Sequence, residues 1–299
     1  MIAQPQRTGV TVGYQGVPGS FSSQAMHQWF GQVESRNYLK FEDVFLALQN
    51  GAIDYGVVPM ENSSTGAIND NYDLINKYHF FIVGEQSIYI AQNLLGVKGA
   101  KLNDIKEVYS HPQGLLQTSQ FLAAHQIQGK ECLNTALAAK MAAERQDPAV
   151  GAIASTEAAK LYDLDVLAPS IENDKSNHTR FIIFGRAPEV LPDADRISLI
   201  FTLKNEVGTL YEVMRVIKEH AINMVRIESR PLLGNPWEYY FYVDLDGNLA
   251  DPRITETLAE LKNYTTSLRL LGNYHRQKIN SINSNQKGTL FKFKLDNVP

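Results

Sequence analysis

The sequence predicts an α/β protein made of two lobes, followed by a smaller unit of the ferredoxin-like type. Its 299 residues, 44% of them hydrophobic, exceed what one compact core of the usual size organises. Apolar strand-like runs alternate with helical patterns through the first two thirds, which is typical of α/β sheets. The last third has the order β-α-β-β-α-β. Two such lobes leave a cleft between them, where the carboxyl ends of strands bind ligands.

The elements of the first two thirds follow from apolar runs bounded by turn residues. The opening run 8–14 is rich in β-branched residues, and a glycine-rich turn leads to a helix start at Ser20 or Ser22. The further predicted elements are helix 22–30, helix 41–51, strand 55–59, helix 69–77, an apolar segment 80–91, strand 107–110, helix 112–125, strand 130–133, helix 135–145, strand 150–154, helix 156–162 and strand 180–186.

The last third begins after a segment rich in proline and acidic residues, which indicates a linker. Its predicted elements are strand 197–203, helix 208–220, strand 222–230, strand 237–244, helix 252–264 and strand 267–271. The alternating patch 289–295 suits an edge strand, but a frayed or interface-dependent tail is the preferred interpretation. The predicted domains are 1–188, with lobe one at about 8–90 and 171–188 and lobe two at about 91–170, a linker 189–195, the C-terminal unit 196–273 and a tail 274–299.

Composition argues for a small-molecule partner. A net charge of −4 and a pI near 6.0 provide no basic field, so we expect neither nucleic acid nor a membrane as partner. Residues 1–7 lack the apolar core of a signal peptide, and no apolar run approaches the roughly 20 residues of a membrane span, so a cytoplasmic protein is expected. Cys132 is the only cysteine, and a small buried apolar side chain is its expected role.

Two polar clusters lie in the N-terminal part, where predicted strands end. The loop from Gly16 to Ser22 presents backbone N–H groups suited to a carboxylate or a phosphate, although such a loop alone is more often a plain strand-to-helix turn. Glu61, Asn62 and Ser63 follow a strand directly, and a capped turn is the alternative interpretation.

A third cluster places Ser110 and His111 ahead of Gln113, with Gln117 one helical turn further on the same face. Helix capping is the alternative role for Ser110. His111 shares no helical spacing with a second histidine, so a metal site is not expected. No nucleophile elbow or Cys–His pair is present, so covalent catalysis is not expected either.

The fourth cluster, Thr179, Arg180 and Phe181, begins the last strand of the two-lobed part. An arginine beside an apolar strand is a natural fork for a carboxylate, and simple strand entry is the alternative.

Taken in order, these clusters resemble the prephenate dehydratase family: Gly-x-Pro-Gly-Ser-Phe-Ser, Pro-x-Glu-Asn-Ser-x-x-Gly, Ser-His-Pro-Gln and Thr-Arg-Phe. The resemblance covers nearly the whole chain and implies two lobes like those of periplasmic binding proteins. The C-terminal unit resembles the family's ACT regulatory domain through the segments 208–211 and 228–231. Thr209 departs from the family's usual Gly-Ala-Leu stretch, which leaves the effector's affinity and identity open.

The resemblance implies conversion of prephenate to phenylpyruvate, water and carbon dioxide, without a cofactor. It also implies a monofunctional enzyme, because the first motif begins by Gly13, too early for a preceding mutase domain. The implied catalytic residues are Thr179, Glu61, Asn62, Ser110 and Gln117, and the implied substrate-binding residues are Ser20, Phe21, Ser22, Ser63, His111, Arg180 and Phe181.

Within this set, Thr179 is expected to donate a hydrogen bond to the departing hydroxide, and Glu61 is the rival acid. Arg180 and the Gly16–Ser22 loop are expected to hold the pyruvyl carboxylate. The rival functions are an arogenate dehydratase and a non-catalytic amino-acid sensor.

The implied effector is L-phenylalanine, and a homodimer or homotetramer is expected. The implied effector-binding residues are Val207, Gly208, Thr209, Leu210, Glu228, Ser229, Arg230 and Pro231.

Overall fold

The structure, a computed structural model, describes residues 9–189, 191–232, 234 and 236–277. The patch predicted at 289–295 lies outside the described residues. In chain order, the part up to residue 185 consists of β1 (Thr11–Gln15), α1 (Phe21–Phe30), β2 (Glu34–Tyr38), α2 (Phe41–Gln49), β3 (Tyr55–Asn62), β4 (Gly66–Ala67), α3 (Asn69–Tyr78), β5 (Phe81–Tyr89), β6 (Asn93–Gly96), a 3-10 turn (Leu102–Asp104), β7 (Glu107–Ser110), α4 (Pro112–Gln117), α5 (Ser119–His125), β8 (Gln128–Glu131), α6 (Thr135–Arg145), β9 (Val150–Ala154), α7 (Thr156–Leu161), β10 (Asp165–Ala168) and β11 (His178–Gly185).

These elements form two sheets, and each sheet is the centre of one lobe. The first sheet has the order β2-β1-β3-β11-β5, with β4 paired to β3, and the second has the order β10-β6-β9-β7-β8. The chain leaves the first sheet after β5 and returns to it as β11, so two segments connect the lobes. This arrangement confirms the predicted two-lobed α/β fold.

Burial made two inner strands of the sheets recognisable in the sequence. The strand β9 is buried on both faces and apolar throughout, and β11 is buried and apolar from Phe181 to Gly185. The sequence analysis missed the short strands β4 and β6, and it missed β2 and β10, which lie at sheet edges and are largely exposed. Without a buried face, neither β2 nor β10 shows the alternation that predicts a strand.

The helix predicted over 112–125 is wrong as one element, because it breaks at Thr118. This residue leaves the helical region at φ −118° and ψ 13°, and its buried hydroxyl donates to the Gly114 carbonyl at 2.8 Å. A threonine that bonds back to its own helix competes with the regular backbone ladder, which explains the break.

The C-terminal unit consists of β12 (Arg196–Thr202), α8 (Thr209–Glu219), β13 (Met224–Pro231), β14 (Tyr239–Asp246), α9 (Pro252–Leu261) and β15 (Ser267–Tyr274). Its antiparallel sheet has the order β13-β14-β12-β15, which confirms the predicted ferredoxin-like topology. Both helices cover one face of this sheet, over a core that includes Leu199, Val213 and Val243.

The other face of the C-terminal sheet packs against the first lobe. One buried cluster contains Phe45 and Phe184 of the first lobe together with Tyr242, Leu271 and Tyr274 of the C-terminal unit. The two layers therefore share a hydrophobic core, and the first sheet has the cleft on one side and the C-terminal unit on the other.

Gly272 marks the closest approach of these layers. A Cβ at this position would lie 1.9 Å from the Ile82 carbonyl oxygen, a backbone atom of β5 that has no rotamer through which to retreat. We expect Gly272→Ala to force the layers apart and to lower the free energy of unfolding by about 1–3 kcal/mol, the usual cost of overpacking. Urea unfolding measures this change.

Gly129→Ala is the matched control. It also lies in a strand, but its Cβ would meet flexible side chains and no backbone atom, with Leu115 at 3.1 Å and Leu122 at 3.6 Å. Equal destabilisation by both variants would contradict the proposed close packing at Gly272.

Candidate functional site

A cleft of about 260 Å³ lies between the two lobes. Its apolar wall consists of Phe21, Pro59, Ile68, Ile90 and Phe181. Its polar side chains come from both lobes: Gln15, Ser20, Ser22, Asn62, Thr65, Gln92, His111, Gln113, Gln117, Asn134, Thr135 and Thr179. His111 is the sole titratable side chain among these described lining residues, so the cleft contains no formal cation that would balance an anion.

The glycine loop before α1 joins the lobes at one edge of the cleft. Gly16 and Gly19 have φ of +110° and +84°, which side-chain-bearing residues rarely adopt. A Cβ on Gly19 would also lie 3.1 Å from the Ala158 Cα in α7, and the Ser155 hydroxyl donates to the Gly19 carbonyl at 2.9 Å. The glycines therefore allow the first lobe to approach the second directly.

Helix N-termini provide the positive potential that the cleft's side chains lack. Ser20 caps α1, Asn134 caps α6, and both caps line the cleft. Neither helix has an acidic residue in its first turn, whereas α2, α3, α7 and α8 do. The partial positive charge at these two N-termini is therefore not neutralised locally, which favours an anionic ligand.

Asn62 and Thr179 form a hydrogen-bonded pair at the cleft. They are register partners on β3 and β11, and the Asn62 Nδ2 donates to the Thr179 Oγ1 at 2.9 Å. The backbone N–H groups of Ser64 and Thr65 both donate to the Asn62 Oδ1 at 3.0 Å, which fixes the orientation of the amide. Because the Thr179 oxygen accepts from Asn62, its own proton remains free to point towards a ligand.

A β-bulge makes this pairing possible. Arg180 pairs with Glu61 but Phe181 pairs with Pro59, which leaves Met60 as an extra residue in β3. Regular alternation would send residues three apart to opposite faces, yet Pro59 and Asn62 both line the cleft. The bulge thus turns Asn62 towards Thr179.

His111 caps α4 as an acceptor, with its Nδ1 accepting from the Gln113 backbone N–H at 3.2 Å. The proton of the neutral ring therefore resides on Nε2. Burial lowers the pKa of His111 below its usual value, and the nearby Glu131 carboxylate opposes this only in part. His111 is accordingly a neutral donor near pH 7.

The hinge side of the cleft is organised by Glu172, in the segment that leads into β11. Its carboxylate accepts from the Tyr89 hydroxyl at 2.5 Å and from the Gln92 backbone N–H at 2.9 Å. The Gln92 side chain in turn donates to the Gln117 Oε1 at 3.2 Å. A buried carboxylate thereby ties both segments that connect the lobes to the helix carrying Gln117.

Four more predicted residues line the cleft, namely Ser20, Phe21, Ser22 and Phe181. Ser63 and Ser110 do not line it. The Ser63 Oγ accepts from the His178 backbone N–H at 2.9 Å, and the buried Ser110 Oγ donates to the Ile153 carbonyl at 2.8 Å. Both hydroxyls hold neighbouring strands together.

Glu61 and Arg180 correct the sequence analysis, because their side chains leave the opposite face of the first sheet. Glu61 forms an ion pair with Arg226 of the C-terminal unit. Arg180 bonds to Glu85 at 2.8 Å and to Asp244 at 2.7 Å. Neither residue reaches the cleft, so the expected roles of Glu61 as an acid and Arg180 as a substrate ligand are not retained.

The predicted effector residues are divided between two faces of the C-terminal unit. Gly208, Thr209 and Leu210 line a pocket of about 330 Å³ together with Trp237, Tyr239 and Phe241. Ser229 and Pro231 are exposed and pair in register with Phe241 and Tyr239, so they flank this pocket. Val207 is fully exposed.

Glu228 and Arg230 alternate with those exposed residues and lie on the other face of β13. Arg230 pairs with Asp73 of the first lobe at 2.7 Å, and Glu228 lies 3.6 Å from Arg226. These two residues therefore contact the interface between layers and not the pocket.

The sequence analysis missed Gln92, Asn134 and Thr135. Asn134 follows a strand and caps a helix, with its Oδ1 accepting from the Leu137 N–H at 2.7 Å. This is the same pattern that singled out Ser20 and His111, so the signal was present. Gln92 lies in an apolar segment and carries no such signal.

Comparison with known proteins decides the family. Residues 12–189 match the family model described as prephenate dehydratase. The chain belongs to the prephenate dehydratase family. This confirms the expected family and its class of carbon–oxygen lyases. No cluster of three or more His, Cys, Asp or Glu side chains suited to a metal occurs among the described residues, and no helix in that part of the chain is long and apolar enough to cross a membrane.

Relatives of this prephenate dehydratase family member extend over most of the chain. The chain is 36% identical over 287 residues to a bifunctional chorismate mutase/prephenate dehydratase of Enterobacter agglomerans, and the match covers 93% of this chain and 74% of the relative. It is 37% identical over 280 residues to arogenate dehydratase 2 of Petunia hybrida, covering 88% of this chain and 71% of the relative.

Solved structures share the fold. A prephenate dehydratase of Arthrobacter aurescens in complex with L-Phe has a TM-score of 0.82 and 28% identity, covering 89% of this chain and 90% of that one. GqqA, described as a quorum quenching acylase, has a TM-score of 0.83 and 28% identity, covering 89% of this chain and 98% of that one.

The lowered pKa of His111 predicts a pH effect on stability. The unfolded chain binds a proton at this residue near its ordinary pKa of about 6.5, whereas the folded chain resists it. The contribution of His111 is therefore present above that pKa and is lost as the pH falls through the lower folded value. Urea unfolding between pH 5 and 8 should show a steeper loss of stability on acidification in the wild type than in His111→Asn.

His79→Asn is the comparison variant, because burial also lowers the pKa of His79, with Arg269 acting in the same direction. It should flatten the pH dependence in the same sense without altering the cleft. Identical pH dependence of the wild type and His111→Asn would contradict the assignment of a neutral, accepting His111.

Proposed function

We propose that this chain catalyses the decarboxylating dehydration of prephenate to phenylpyruvate, with Thr179 as the hydrogen-bond donor to the departing hydroxide. The oriented pair of Asn62 and Thr179 carries this proposal, because it leaves one free hydroxyl proton at the cleft. Membership of the prephenate dehydratase family supports the substrate and the reaction.

The reaction breaks two bonds of the substrate ring and needs one proton. The bonding electrons of the ring carboxylate remain with the ring as carbon dioxide leaves, hydroxide departs, and a proton converts it to water. A threonine hydroxyl is too weak an acid to lose its proton outright, so Thr179 acts by hydrogen bonding to the developing charge on oxygen. Formation of the aromatic ring drives the step, and the protein mainly positions the substrate.

The cleft offers distinct surroundings to the two carboxylates of prephenate. We assign the pyruvyl carboxylate to the N-termini of α1 and α6, whose caps line the cleft. The ring carboxylate is assigned to the apolar wall near Ile90 and Phe181. Poor solvation of the ring carboxylate favours its loss as neutral carbon dioxide.

Thr179→Val tests the donor role. Valine keeps the shape of threonine and removes the hydroxyl, so kcat for phenylpyruvate formation should fall by about 10²–10³-fold, as when one donor of an oxyanion hole is removed. Thr179→Ser should retain most of the activity because it keeps the hydroxyl.

Thr257→Val is the matched control, since Thr257 is a buried threonine whose hydroxyl donates within α9, to the Arg253 carbonyl at 2.6 Å. It should leave kcat unchanged. Wild-type turnover by Thr179→Val would remove Thr179 from the chemistry.

Arogenate is the alternative substrate, and the 37% identity to arogenate dehydratase 2 of Petunia hybrida favours testing it. Arogenate carries an amino group where prephenate carries a keto group. Comparing kcat/KM for the two substrates decides between them, and turnover of neither would support the non-catalytic sensor. Consumption of chorismate in the same assay tests whether a mutase activity accompanies the dehydratase. The cytoplasmic location stays a prediction.

We further infer that the C-terminal unit is an ACT-type regulatory domain that binds L-phenylalanine in the pocket around Gly208, Thr209 and Leu210. The prephenate dehydratase of Arthrobacter aurescens in complex with L-Phe supports the choice of effector. The Thr209 hydroxyl donates to the carbonyls of Lys204 at 3.0 Å and Glu206 at 3.2 Å, within its own loop. The Thr209 hydroxyl is therefore satisfied within its own loop and needs no hydrogen bond from a ligand.

The edge strand β13 supports a homodimer or a higher homo-oligomer. Its exposed face includes Val225 and Ile227, which are 45% and 39% exposed beside the pocket-flanking Ser229 and Pro231. An unpaired edge strand with apolar side chains is a natural place for a second copy to pair, and the partner would complete the pocket.

L-phenylalanine should raise the thermal midpoint of the wild type and lower its rate of phenylpyruvate formation, because it binds the less active state more tightly. Thr209→Ala should retain both responses, since its hydroxyl serves only its own loop. D-phenylalanine is the control ligand. If saturating L-phenylalanine changes neither the rate nor the thermal midpoint of the wild type, the regulatory assignment is wrong.

A further inference from the structure

Two register pairs lie next to each other at the end of β3 and the start of β11. Thr179 pairs with Asn62, and the following residue Arg180 pairs with Glu61. The first pair lines the cleft, while the second leaves the opposite face of the same two strands. Any displacement of the second pair is therefore transmitted to the first through one peptide unit in each strand.

The Arg180 guanidinium is fastened to both layers. Its Nε donates to Glu85 of β5 at 2.8 Å, its Nη1 to Asp244 of β14 at 2.7 Å, and its Nη2 to the Tyr274 hydroxyl at 3.1 Å. Burial is the largest influence on the pKa of Asp244 and raises it, but the Arg180 guanidinium, the Ser198 hydroxyl and the charge of Arg196 together outweigh burial, so the pKa is lowered and the Asp244–Arg180 pair is ionised. An arginine whose three nitrogens each donate to a different partner has little freedom to move.

The Glu61 side chain also points towards the C-terminal unit and forms an ion pair there. It pairs with Arg226 of β13, whose guanidinium lies 5.2 Å from the centre of the Tyr72 ring and 3.6 Å from Glu228. Arg226 is nearly buried, whereas the Glu61 side chain is 39% exposed. The C-terminal unit therefore binds the backs of both strands that carry the proposed hydrogen-bond donor pair.

The bulge at Met60 makes this location sensitive. Met60 is the extra residue between Pro59 and Glu61, so the ladder of β3 is interrupted immediately before the Glu61–Arg180 pair. Asn62 and Glu61 are paired with β11 and with the two-residue strand β4, but the bulge separates these pairs from the regular β3–β11 ladder that begins at Pro59. The ion pair of Glu61 with Arg226 provides a restraint at the residue next to it.

We propose that Glu61 and Arg226, together with Arg180 and Asp244, are positioning residues that hold Asn62 and Thr179 at hydrogen-bonding distance from behind the sheet. The C-terminal unit thereby sets kcat through the back of the cleft wall. The proposal rests on the proposed function insofar as it concerns turnover. Its structural part, restraint of Asn62 by Arg226, stands independently of the reaction.

The test is a double-mutant cycle of Glu61→Gln, Arg226→Met and the two combined. Arg180 and Asp244 are not suitable, because removing either leaves the other charge buried without its partner. Each single variant should lower kcat by about 10–100-fold, the usual effect of a small displacement at a reacting centre, with KM changed less than about twofold. The double variant should be no worse than the singles, because both remove the same restraint.

A second readout separates positioning from acid catalysis. If Glu61 were the acid, Glu61→Gln would change the pH profile of kcat and Arg226→Met would not share its defect. We expect both variants to show the same lowered kcat and an unshifted profile, with Arg226→Lys restoring part of the rate. Arg215→Gln, which removes an arginine that pairs with Glu212 and Glu219 on α8, is the control expected to behave as wild type.

A third readout needs no turnover. The backbone N–H groups of Ser64 and Thr65 bond to the Asn62 Oδ1, so their hydrogen exchange reports on the position of Asn62. Exchange should become faster in Glu61→Gln and Arg226→Met but not in Arg215→Gln. Faster exchange in a protein that leaves prephenate unchanged would keep the restraint and reject only the function. Unchanged exchange, additive losses in the cycle, or a defect confined to KM would overturn the positioning role.

Discussion

The hydrogen bond from Asn62 to Thr179 is the constraint on which the rest of the site depends. A threonine hydroxyl can either donate into its own backbone or donate outwards, and only the second is useful at a cleft. Asn62 donates to one lone pair of the Thr179 oxygen and leaves the hydroxyl proton available, while the Ser64 and Thr65 backbone N–H groups fix the orientation of the Asn62 amide. The β3–β11 ladder then supplies the relative position that a loop alone could not hold.

That ladder also explains why the chain places a third layer behind the first sheet. Along β11, Thr179 and Phe181 lie at the cleft, whereas Arg180, Ile182 and Phe184 lie on the side of the C-terminal unit. Each strand of the pair therefore has one face towards the cleft and one face towards the C-terminal unit, and the two faces share a single backbone. In such an arrangement, regulation of the cleft by the C-terminal unit would need no long chain of contacts, because the same strands contact both.

The fold and part of the site were predictable from the sequence, and there are physical reasons why the rest of the site was not. Alternating buried strands and capped helices gave the two lobes and the ferredoxin-like unit, because burial imposes periodicity. The edge strands β2 and β10 left no such trace. Sequence motifs located Asn62, Gln117 and Thr179 at the cleft but misplaced Glu61 and Arg180. Strand alternation sends neighbouring side chains to opposite faces, so Glu61 and Arg180 face away from the cleft. The bulge at Met60 also changes which residues of β3 face the cleft. Pro59 inside an apolar strand was the available signal for that bulge.

The absence of formal cations among the described lining residues of the cleft has a chemical logic. A guanidinium beside the ring carboxylate would stabilise the charge that must disappear on decarboxylation, and so would bind the ground state better than the transition state. Helix N-termini and neutral donors attract a dianion with less ground-state stabilisation, and they are fixed by the fold before the ligand arrives. Placing Arg180 and Arg226 behind the sheet lets them hold the strands without facing the substrate. The same two positions could not serve as carboxylate forks in the cleft and as links to the C-terminal unit, because a strand residue projects to one side only.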